Sequence, residues 1–196
     1  MKLIFTGFEP FGRARVNASW EAVRTLEGVR TVLLPVTFEG AAERVRELAK
    51  EGADAIVCVG EAGGRSAISV ERVAVNLMDA RIPDNAGYQP VDTPVRAGGP
   101  AAYLSTLPVR LLFDALRAAG LPAELSFSAG RYVCNSTFYA LMDALATLES
   151  PTLGGFIHVP ARQMPPERVA EALRDTAGVE TAGVSLVVTD VAPVTG

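Results

Sequence analysis

The sequence predicts an α/β fold in which a largely parallel, twisted sheet is covered by helices on both faces, a three-layer α/β/α sandwich. Short apolar runs of strand length alternate with segments whose apolar residues recur at helical spacing, and this alternation is typical of such sheets. The run AIVCV at residues 55–59 is apolar at every position, as expected for a strand buried on both faces. A length of 196 residues fits one domain, which we expect to span residues 1–196.

The first half of the chain is predicted to contain three strands and two helices. Its first helix follows Asn17, whose side chain is of the type that caps the free N–H groups at a helix start. The predicted segments are a strand at 3–6, the helix after Asn17, a strand at 31–36, a helix at 41–50 and the apolar strand at 55–59.

The second half begins with alternating apolar residues over 66–77, which indicate an extended hairpin or a bulged strand. A proline-rich segment over 79–100 follows, and a loop of this length inside a compact domain is more often functional than idle. The remaining predicted segments are a helix at 108–119, a strand at 123–127, a helix at 135–148, a strand at 154–160, a helix at 166–176 and a strand at 184–188.

Composition excludes several classes of function. The chain is 49% hydrophobic with a mean hydropathy of +0.25, yet it has no apolar run of the roughly 18 residues that a membrane span needs. The net charge is −4 and the 18 basic residues form no dense cluster, so nucleic-acid binding is not expected. The N-terminus enters a strand directly, without the pattern of a signal peptide, and we expect a cytoplasmic protein.

Cys134 and His158 are the residues with the clearest chemical potential. Cys134 falls between a predicted strand and the first turn of a helix, where free N–H groups and the helix dipole favour a thiolate. His158 is the only histidine and lies in a short apolar strand. A thiolate with a nearby imidazole makes a cysteine nucleophile, but a buried structural cysteine and a core histidine fit the same pattern. Spacing alone leaves both interpretations open.

Other kinds of site are not favoured. Two cysteines and one histidine make a structural zinc site improbable, and we expect no metal and no organic cofactor. The glycine-rich stretch GEAGGR at 60–65 lacks the Gly-Lys-Ser/Thr ending of a phosphate-binding loop and the Gly-x-Gly-x-x-Gly pattern of a dinucleotide site. Glycines that let the backbone approach a small substrate are the better interpretation.

Six ordered blocks of sequence lie between about residues 3 and 160. They are TGFEPFG at 6–12 with Asn17, GGR at 63–65, ERVAVN at 71–76 continuing as DARIPDN at 79–85, STLP at 105–108, SAG at 128–130 with VCN at 133–135, and GFIHVP at 155–160. Together these blocks resemble the pyroglutamyl peptidase I, or pyrrolidone carboxyl peptidase, family of intracellular cysteine exopeptidases. The last 30 or so residues match that family poorly.

The resemblance implies a catalytic set. Cys134 would be the nucleophile, His158 the base and acid, and Glu71 the carboxylate that orients the imidazole. It also implies that Arg81 lies close to the nucleophile, where a cation helps to hold thiolate or oxyanion charge, whereas Arg65 has a weaker claim to that place. Without the family, a surface ion pair would explain Glu71 and either arginine equally well.

The resemblance also implies a pocket for the flat pyroglutamyl ring. Its expected lining residues are Phe8, Phe11, Asn17, Tyr132 and Val133. Tyr132 stands where many family members carry phenylalanine, which keeps the aromatic face, and Asn17 has helix capping as its competing role. None of the five is a carboxylate that would bind an α-ammonium group, and Glu9 is expected to point away from the two phenylalanines beside it.

The function implied is hydrolysis of the peptide bond after an N-terminal pyroglutamyl residue through a thioester, by a homo-oligomer that is commonly a tetramer in this family. Two alternatives stay open at this point. One is an amidase or deacylase that uses the same three residues on another small acyl group. The other is a non-catalytic α/β binding module in which Cys134 and His158 only pack in the core.

Overall fold

The computed structural model describes residues 2–160, which form eight strands and four helices around a central sheet. Along the chain these elements are β1 (Leu3–Phe8), α1 (Ala18–Val23), β2 (Arg30–Leu34), α2 (Phe38–Ala49), β3 (Ala55–Ala62), β4 (Ile68–Glu71), β5 (Val73–Val75), β6 (Ala102–Leu104), α3 (Val109–Ala118), β7 (Ala123–Ser126), α4 (Val133–Thr147) and β8 (Leu153–Pro160). The predicted helix at 166–176 and strand at 184–188 lie outside the described residues.

The central sheet has six strands in the order β2-β1-β3-β8-β4-β7. Strands β2, β1, β3 and β8 are parallel to one another, whereas β4 pairs antiparallel with β8 and parallel with β7. The largely parallel sheet predicted from the alternation of strands and helices is therefore confirmed. The direction change between β8 and β4 was not predicted, and it places the end of β4 beside the middle of β8.

Helices cover both faces of this sheet, as the sequence predicts. Ile4 and Ile56 belong to a buried cluster that includes residues of α2 and α4. Their neighbours Phe5 and Val57 face the opposite way and pack in a second cluster with residues of α1 and α3. Because successive side chains of a strand point to opposite faces, the buried strands β1 and β3 contribute to both cores.

Polar side chains fix the starts of the first two helices. Asn17 is the N-cap of α1, and its side-chain oxygen accepts from the backbone N–H of Ser19 at 3.0 Å. The start of α2 is capped from a distant loop, since Asp84 Oδ2 accepts from the backbone N–H of Phe38 at 2.9 Å. The proline-rich segment is therefore attached to the fold by a hydrogen bond that satisfies an otherwise free helix N–H group.

The segment at 66–77 differs from the predicted hairpin or bulged strand. Its first part, β4, joins the central sheet, and its second part, β5, pairs antiparallel with β6 in a separate two-stranded sheet. Arg72 makes the transition, because its N–H donates to Ser126 O at 2.8 Å while its carbonyl accepts from Ser105 N at 2.9 Å. Residues 2–160 include no helix with both the length and the apolar character needed to cross a membrane.

Candidate active site

Cys134 is the second residue of α4, so the predicted position at a helix start is correct and the helix begins two residues earlier than expected. Its side chain is partly buried and lies over strand β3, where Sγ is 3.0 Å from the point that a Cβ atom on Gly60 would occupy. Gly60 pairs in register with His158 on β8. Because Gly60 has no side chain, it leaves room for the Cys134 side chain directly beside β8, the strand that carries His158.

His158 and Glu71 form a buried pair. Nδ1 of His158 lies 2.8 Å from Oε1 of Glu71, and the Glu71 side chain has no exposed surface. The antiparallel pairing of β4 with β8 produces this contact, because it sets Ser69 opposite His158 and Glu71 opposite Phe156, on the same face of the sheet. An ionised carboxylate only accepts hydrogen bonds, so the network assigns the proton to Nδ1 and leaves Nε2 as the basic nitrogen.

Arg65 is the third group at this carboxylate. Its Nη1 lies 2.5 Å from the same Oε1 atom of Glu71, and its Nη2 donates to the backbone carbonyl of Ser128 at 2.7 Å. Burial alone would raise the pKa of Glu71, but the hydrogen bond and charge of His158 and the charge of Arg65 outweigh it, and the pKa lies below its usual value. Glu71 is therefore a carboxylate at neutral pH.

Burial favours the neutral forms of His158 and Cys134. It lowers the pKa of His158, against the raising effect of Glu71, so the imidazole is neutral. Burial, together with the negative charge of Glu71, raises the pKa of the Cys134 thiol to about 12. Burial and the carboxylate therefore oppose the thiolate that the helix start was expected to favour, and they favour the protonated thiol.

A cavity of about 120 Å³ opens beside the cysteine. All five predicted pocket residues line it, which brings together side chains that are more than 100 positions apart in the sequence. The lining residues are Phe8, Phe11, Ala14, Val16, Asn17, Val36, Glu61, Tyr132, Val133 and Cys134.

Aromatic rings form one side of this cavity. The rings of Phe11 and Tyr132 are 5.5 Å apart between centroids, and Phe38 packs edge-on against Tyr132 from behind at 5.3 Å. The hydroxyl of Tyr132 donates to the carbonyl of Pro83 at 2.9 Å. The tyrosine therefore keeps the aromatic face of the cavity and also ties it to the proline-rich segment.

Asn17 has both of the roles weighed from the sequence. It lines the cavity, and its side chain is already engaged, since Oδ1 accepts from Ser19 and Nδ2 donates to the carbonyl of Glu9 at 3.0 Å. The Glu9 carboxylate accepts from Val36 N and from Asn85, and it does not line the cavity, as expected. Asn17 thus holds the loop that follows Phe8 and carries Phe11.

Comparison with known proteins identifies the family. A sequence model described as pyroglutamyl peptidase matches residues 1–193. The chain belongs to the pyroglutamyl peptidase family. The match runs further than the motif blocks, which stop near residue 160. Members of this family are cysteine-type exopeptidases, so the non-catalytic alternative loses its basis.

Individual family members agree with this assignment. Pyrrolidone-carboxylate peptidase 1 of Ralstonia nicotianae is 51% identical over 167 residues, which cover 81% of this chain and 77% of the relative. The pyrrolidone-carboxylate peptidase of Thermococcus kodakarensis is 48% identical over 167 residues, covering 82% and 81%. The crystal structure of Bacillus amyloliquefaciens pyroglutamyl peptidase I superposes with a TM-score of 0.89 at 40% identity, covering 93% of this chain and 97% of that one.

Arg81, like His158 and Glu71, is absent from the lining of the cavity beside Cys134. It is exposed and lines a neighbouring, more open cavity with Ile82, Gly130 and Arg131. Phe11 and Tyr132 line both cavities. That Arg81 lies close to the nucleophile stays a prediction, whereas Arg65 is the arginine that contacts the Glu71 carboxylate of the His158–Glu71 pair.

Two residues of this family site were missed by sequence reasoning. Glu61 lines the cavity, and its Oε2 accepts from the backbone N–H of Ala18 at 2.7 Å, so the pocket does contain a carboxylate. Asn135 is fully buried after the cysteine, and its side chain makes three hydrogen bonds to Val75 and Leu77. The signal for Glu61 was its place at the carboxyl end of a strand, where ligands collect in such sheets.

The acidic and sulfur-bearing side chains of residues 2–160 form no cluster with His158 that is suited to hold a metal. In that part of the chain, no group of three or more His, Cys, Asp or Glu residues has the necessary arrangement. The second cysteine, Cys58, is completely buried in β3, and burial raises the pKa of its thiol to about 12.

Proposed function

We propose that the cavity beside Cys134 is the site where this peptidase removes an N-terminal pyroglutamyl residue from peptides, with Cys134 as nucleophile. One observation supports these roles most directly: the cysteine, the His158–Glu71 pair and the aromatic-lined cavity all meet around Gly60. A nucleophile, a base and a group that orients the base are the minimum set for covalent hydrolysis of an amide.

The thiol starts protonated, so proton transfer accompanies attack. Nε2 of His158 takes the Sγ proton while Sγ bonds to the carbonyl carbon of the pyroglutamyl residue, giving a tetrahedral oxyanion. The C–N bond then breaks, the imidazolium passes its proton to the leaving amine, and a thioester remains. In the second half Nε2 takes a proton from water, the hydroxide attacks the thioester, and the proton returns to Sγ as pyroglutamate leaves.

Two fixed charge distributions support these steps. The Glu71 carboxylate accepts from Nδ1 and stabilises the imidazolium that forms in each half of the reaction. The first N–H groups of α4 have no partner within the helix and lie next to Sγ, where the oxyanion develops. We propose these backbone groups, rather than Arg81, as the oxyanion donors.

The cavity suits a small, flat and neutral acyl group. A pyroglutamyl ring buries two broad apolar faces, which Phe8, Phe11 and Tyr132 match. The edge of its lactam carries one N–H donor and one carbonyl acceptor, which need polar partners once buried. Glu61 brings an acceptor oxygen to the cavity, while its other oxygen is bound to Ala18 N.

A release assay with a pyroglutamyl chromogenic amide, beside its prolyl and glutamyl counterparts, tests the proposal. We expect rapid release from the pyroglutamyl compound alone, loss of release in Cys134→Ser, and retained release in Cys58→Ala. Iodoacetamide should block release by alkylating Cys134. Equal rates on the free-amine compounds would favour the amidase alternative, and an active Cys134→Ser enzyme would contradict the nucleophile.

We further propose that the protein acts in the cytoplasm as a homo-oligomer that binds neither nucleic acid nor membranes. Both cysteines are free thiols, which fits a reducing compartment. Large apolar side chains such as Val91 and Leu104 are more than 60% exposed in the single chain, which favours burial against further copies. Light scattering should show a mass well above 20.6 kDa, and a clean monomer would contradict the oligomer.

A further inference from the structure

Arg65 ends the glycine-rich turn that follows β3. The turn closes with a hydrogen bond from the N–H of Arg65 to the carbonyl of Ala62 at 3.1 Å, with Gly63 and Gly64 at its centre. It returns the chain towards β4, so that the Arg65 side chain lies against the end of that strand, where Glu71 is buried. The glycine-rich stretch thus delivers a guanidinium group rather than a phosphate-binding loop.

The guanidinium joins two parts of the site that are separate in the sequence. Nη1 contacts Glu71 Oε1 at 2.5 Å, and Nη2 donates to the carbonyl of Ser128 at 2.7 Å. A longer contact of 3.4 Å links Nη1 to the Ser126 hydroxyl. Ser126 ends β7, and Ser128 lies in the short connection that leads into the helix of Cys134. One planar, rigid group therefore spans the carboxylate that orients His158 and the backbone that positions the nucleophile.

We infer that Arg65 is a positioning residue for the hydrolysis, holding the Glu71 carboxylate and the connection before Cys134 in one fixed arrangement. For its catalytic consequence the inference rests on the proposed function. It assigns Arg65 no contact with the substrate, because the residue is absent from the lining of the cavity. Its effect on the reaction passes through Glu71 and through the placement of α4.

The burial of Glu71 separates this pair from an ordinary surface ion pair. Glu71 is fully buried and its partner arginine is 27% exposed, whereas Arg44 and Glu47 on α2 are 37% and 62% exposed at a similar distance of 2.6 Å. Exposed pairs are well solvated and contribute little. Removing the arginine from a buried carboxylate instead leaves a charge that is compensated only by the hydrogen bond from the neutral imidazole of His158. Moreover, Oε2 of Glu71 has no hydrogen-bond partner among residues 2–160, so both donors share Oε1.

The sign of the electrostatic effect follows from the charge of Arg65. A nearby cation disfavours the imidazolium and favours both the carboxylate and the thiolate, so Arg65 lowers the pKa of His158, Glu71 and Cys134. Besides Arg65, the ionisable groups near Glu71 are His158 on β8, which contacts it, and Cys134 on α4, whose pKa it raises. Glu124 on β7 is engaged with the Ser69 hydroxyl at 2.7 Å. Removal of the Arg65 charge should therefore raise the pKa of His158.

The experiment compares Arg65→Gln, Arg65→Lys and the matched control Arg44→Gln, in which an exposed arginine loses its carboxylate partner. For each we measure kcat and KM on the pyroglutamyl amide, the pH profile of kcat/KM, the melting temperature, and the rate of Cys134 alkylation by iodoacetamide against pH. The alkylation rate requires no turnover. Absence of peptidase activity in the unmodified protein would therefore overturn the proposed function while leaving the positioning role open to measurement.

In Arg65→Gln we expect kcat to fall about 10- to 100-fold with KM little changed, as for loss of one hydrogen bond between charged groups. The acid limb of kcat/KM should move to higher pH, and so should the alkylation curve of Cys134. Arg65→Lys keeps the charge and should restore both positions, but kcat should stay several-fold low because one ammonium group cannot span Glu71 and Ser128. Arg44→Gln should match the unmodified protein.

Two results would overturn the inference. One is an Arg65→Gln protein with unchanged kcat and unchanged pH profiles. The other is an Arg65→Gln protein whose activity falls only in proportion to the fraction of Cys134 that iodoacetamide can still alkylate, while the pH profiles of kcat/KM and of alkylation stay unchanged. That result would show that Arg65 has a structural role alone. If Arg65→Gln does not fold, Arg65→Lys decides: unmodified kcat in that variant would show that the double contact is not needed.

Discussion

The most direct test of the proposed mechanism is Glu71→Gln, which keeps the shape of the side chain and removes its charge. The amide oxygen can still accept from Nδ1 of His158, but the imidazolium formed during the reaction loses its buried counter-charge at 2.8 Å. A hydrogen bond to a charged group contributes about 1.5–3 kcal/mol, which corresponds to a fall in kcat of roughly 10- to 150-fold. Because Glu71 does not line the cavity, KM should change little.

The prediction for Glu71→Gln also includes the direction in which the acid limb of kcat/KM moves. Burial lowers the pKa of His158, and Glu71 opposes that effect. Without the carboxylate the pKa of His158 falls further, so the imidazole stays neutral to lower pH and the acid limb of kcat/KM moves to lower pH. This direction is the reverse of the one expected for Arg65→Gln. Steady-state kinetics between about pH 4 and 9 measures the shift of the acid limb in Glu71→Gln and in Arg65→Gln, with Glu47→Gln on the surface of α2 as the control.

An unchanged kcat in Glu71→Gln would remove Glu71 from the mechanism. A shift of the acid limb to higher pH would contradict the electrostatic reasoning even if the rate fell. Cys134 should still react with iodoacetamide in this variant, and intact reactivity would show that the loss of rate is not a loss of folded sites.

Two further predictions follow from the packing around the site. In Gly60→Ala, the added methyl group would lie 2.7 Å from the Phe156 ring and 3.0 Å from Sγ of Cys134, so we expect a loss of about 1–3 kcal/mol in stability and a large fall in kcat. The control Gly63→Ala, which has open space around the added methyl group, should leave the melting temperature and the activity nearly unchanged. In Tyr132→Phe, loss of the hydrogen bond to the Pro83 carbonyl should cost about 1 kcal/mol, or about 2–4 °C in melting temperature, with KM nearly unchanged because the ring stays; equal stability would show that this bond does not hold the proline-rich segment.

Local patterns predicted the elements because each depends on neighbours in the sequence. The apolar run at 55–59 forms the first part of β3, and Asn17 caps α1 as its residue type suggests. Predictions that depended on partners far along the chain were less successful. The 66–77 segment divides between two sheets because the N–H of Arg72 donates to the Ser126 carbonyl, a contact that no alternation of apolar residues could reveal.

In the site, too, the sequence predicted residue types well and contacts between distant residues poorly. Motif resemblance named Cys134, His158 and Glu71, and the structure brings the histidine and the carboxylate to 2.8 Å. Resemblance could not show that Arg81 lines a neighbouring cavity, or that Arg65 contacts the Glu71 carboxylate. Both arginines have the same charge, so only the path of the chain decides which of them contacts the carboxylate.

The sequence by itself determined the fold class and the family, because these depend on residue types, their spacing and local helix or strand preference. Through the resemblance to that family it also named Cys134 as the candidate nucleophile. Tertiary structure alone decided the protonation of the site and the polar groups that surround it. The pKa of Cys134 depends on burial and on Glu71, which is 63 positions away in the chain. Desolvation and Coulomb interactions act through space, so the sequence fixes them only through the fold.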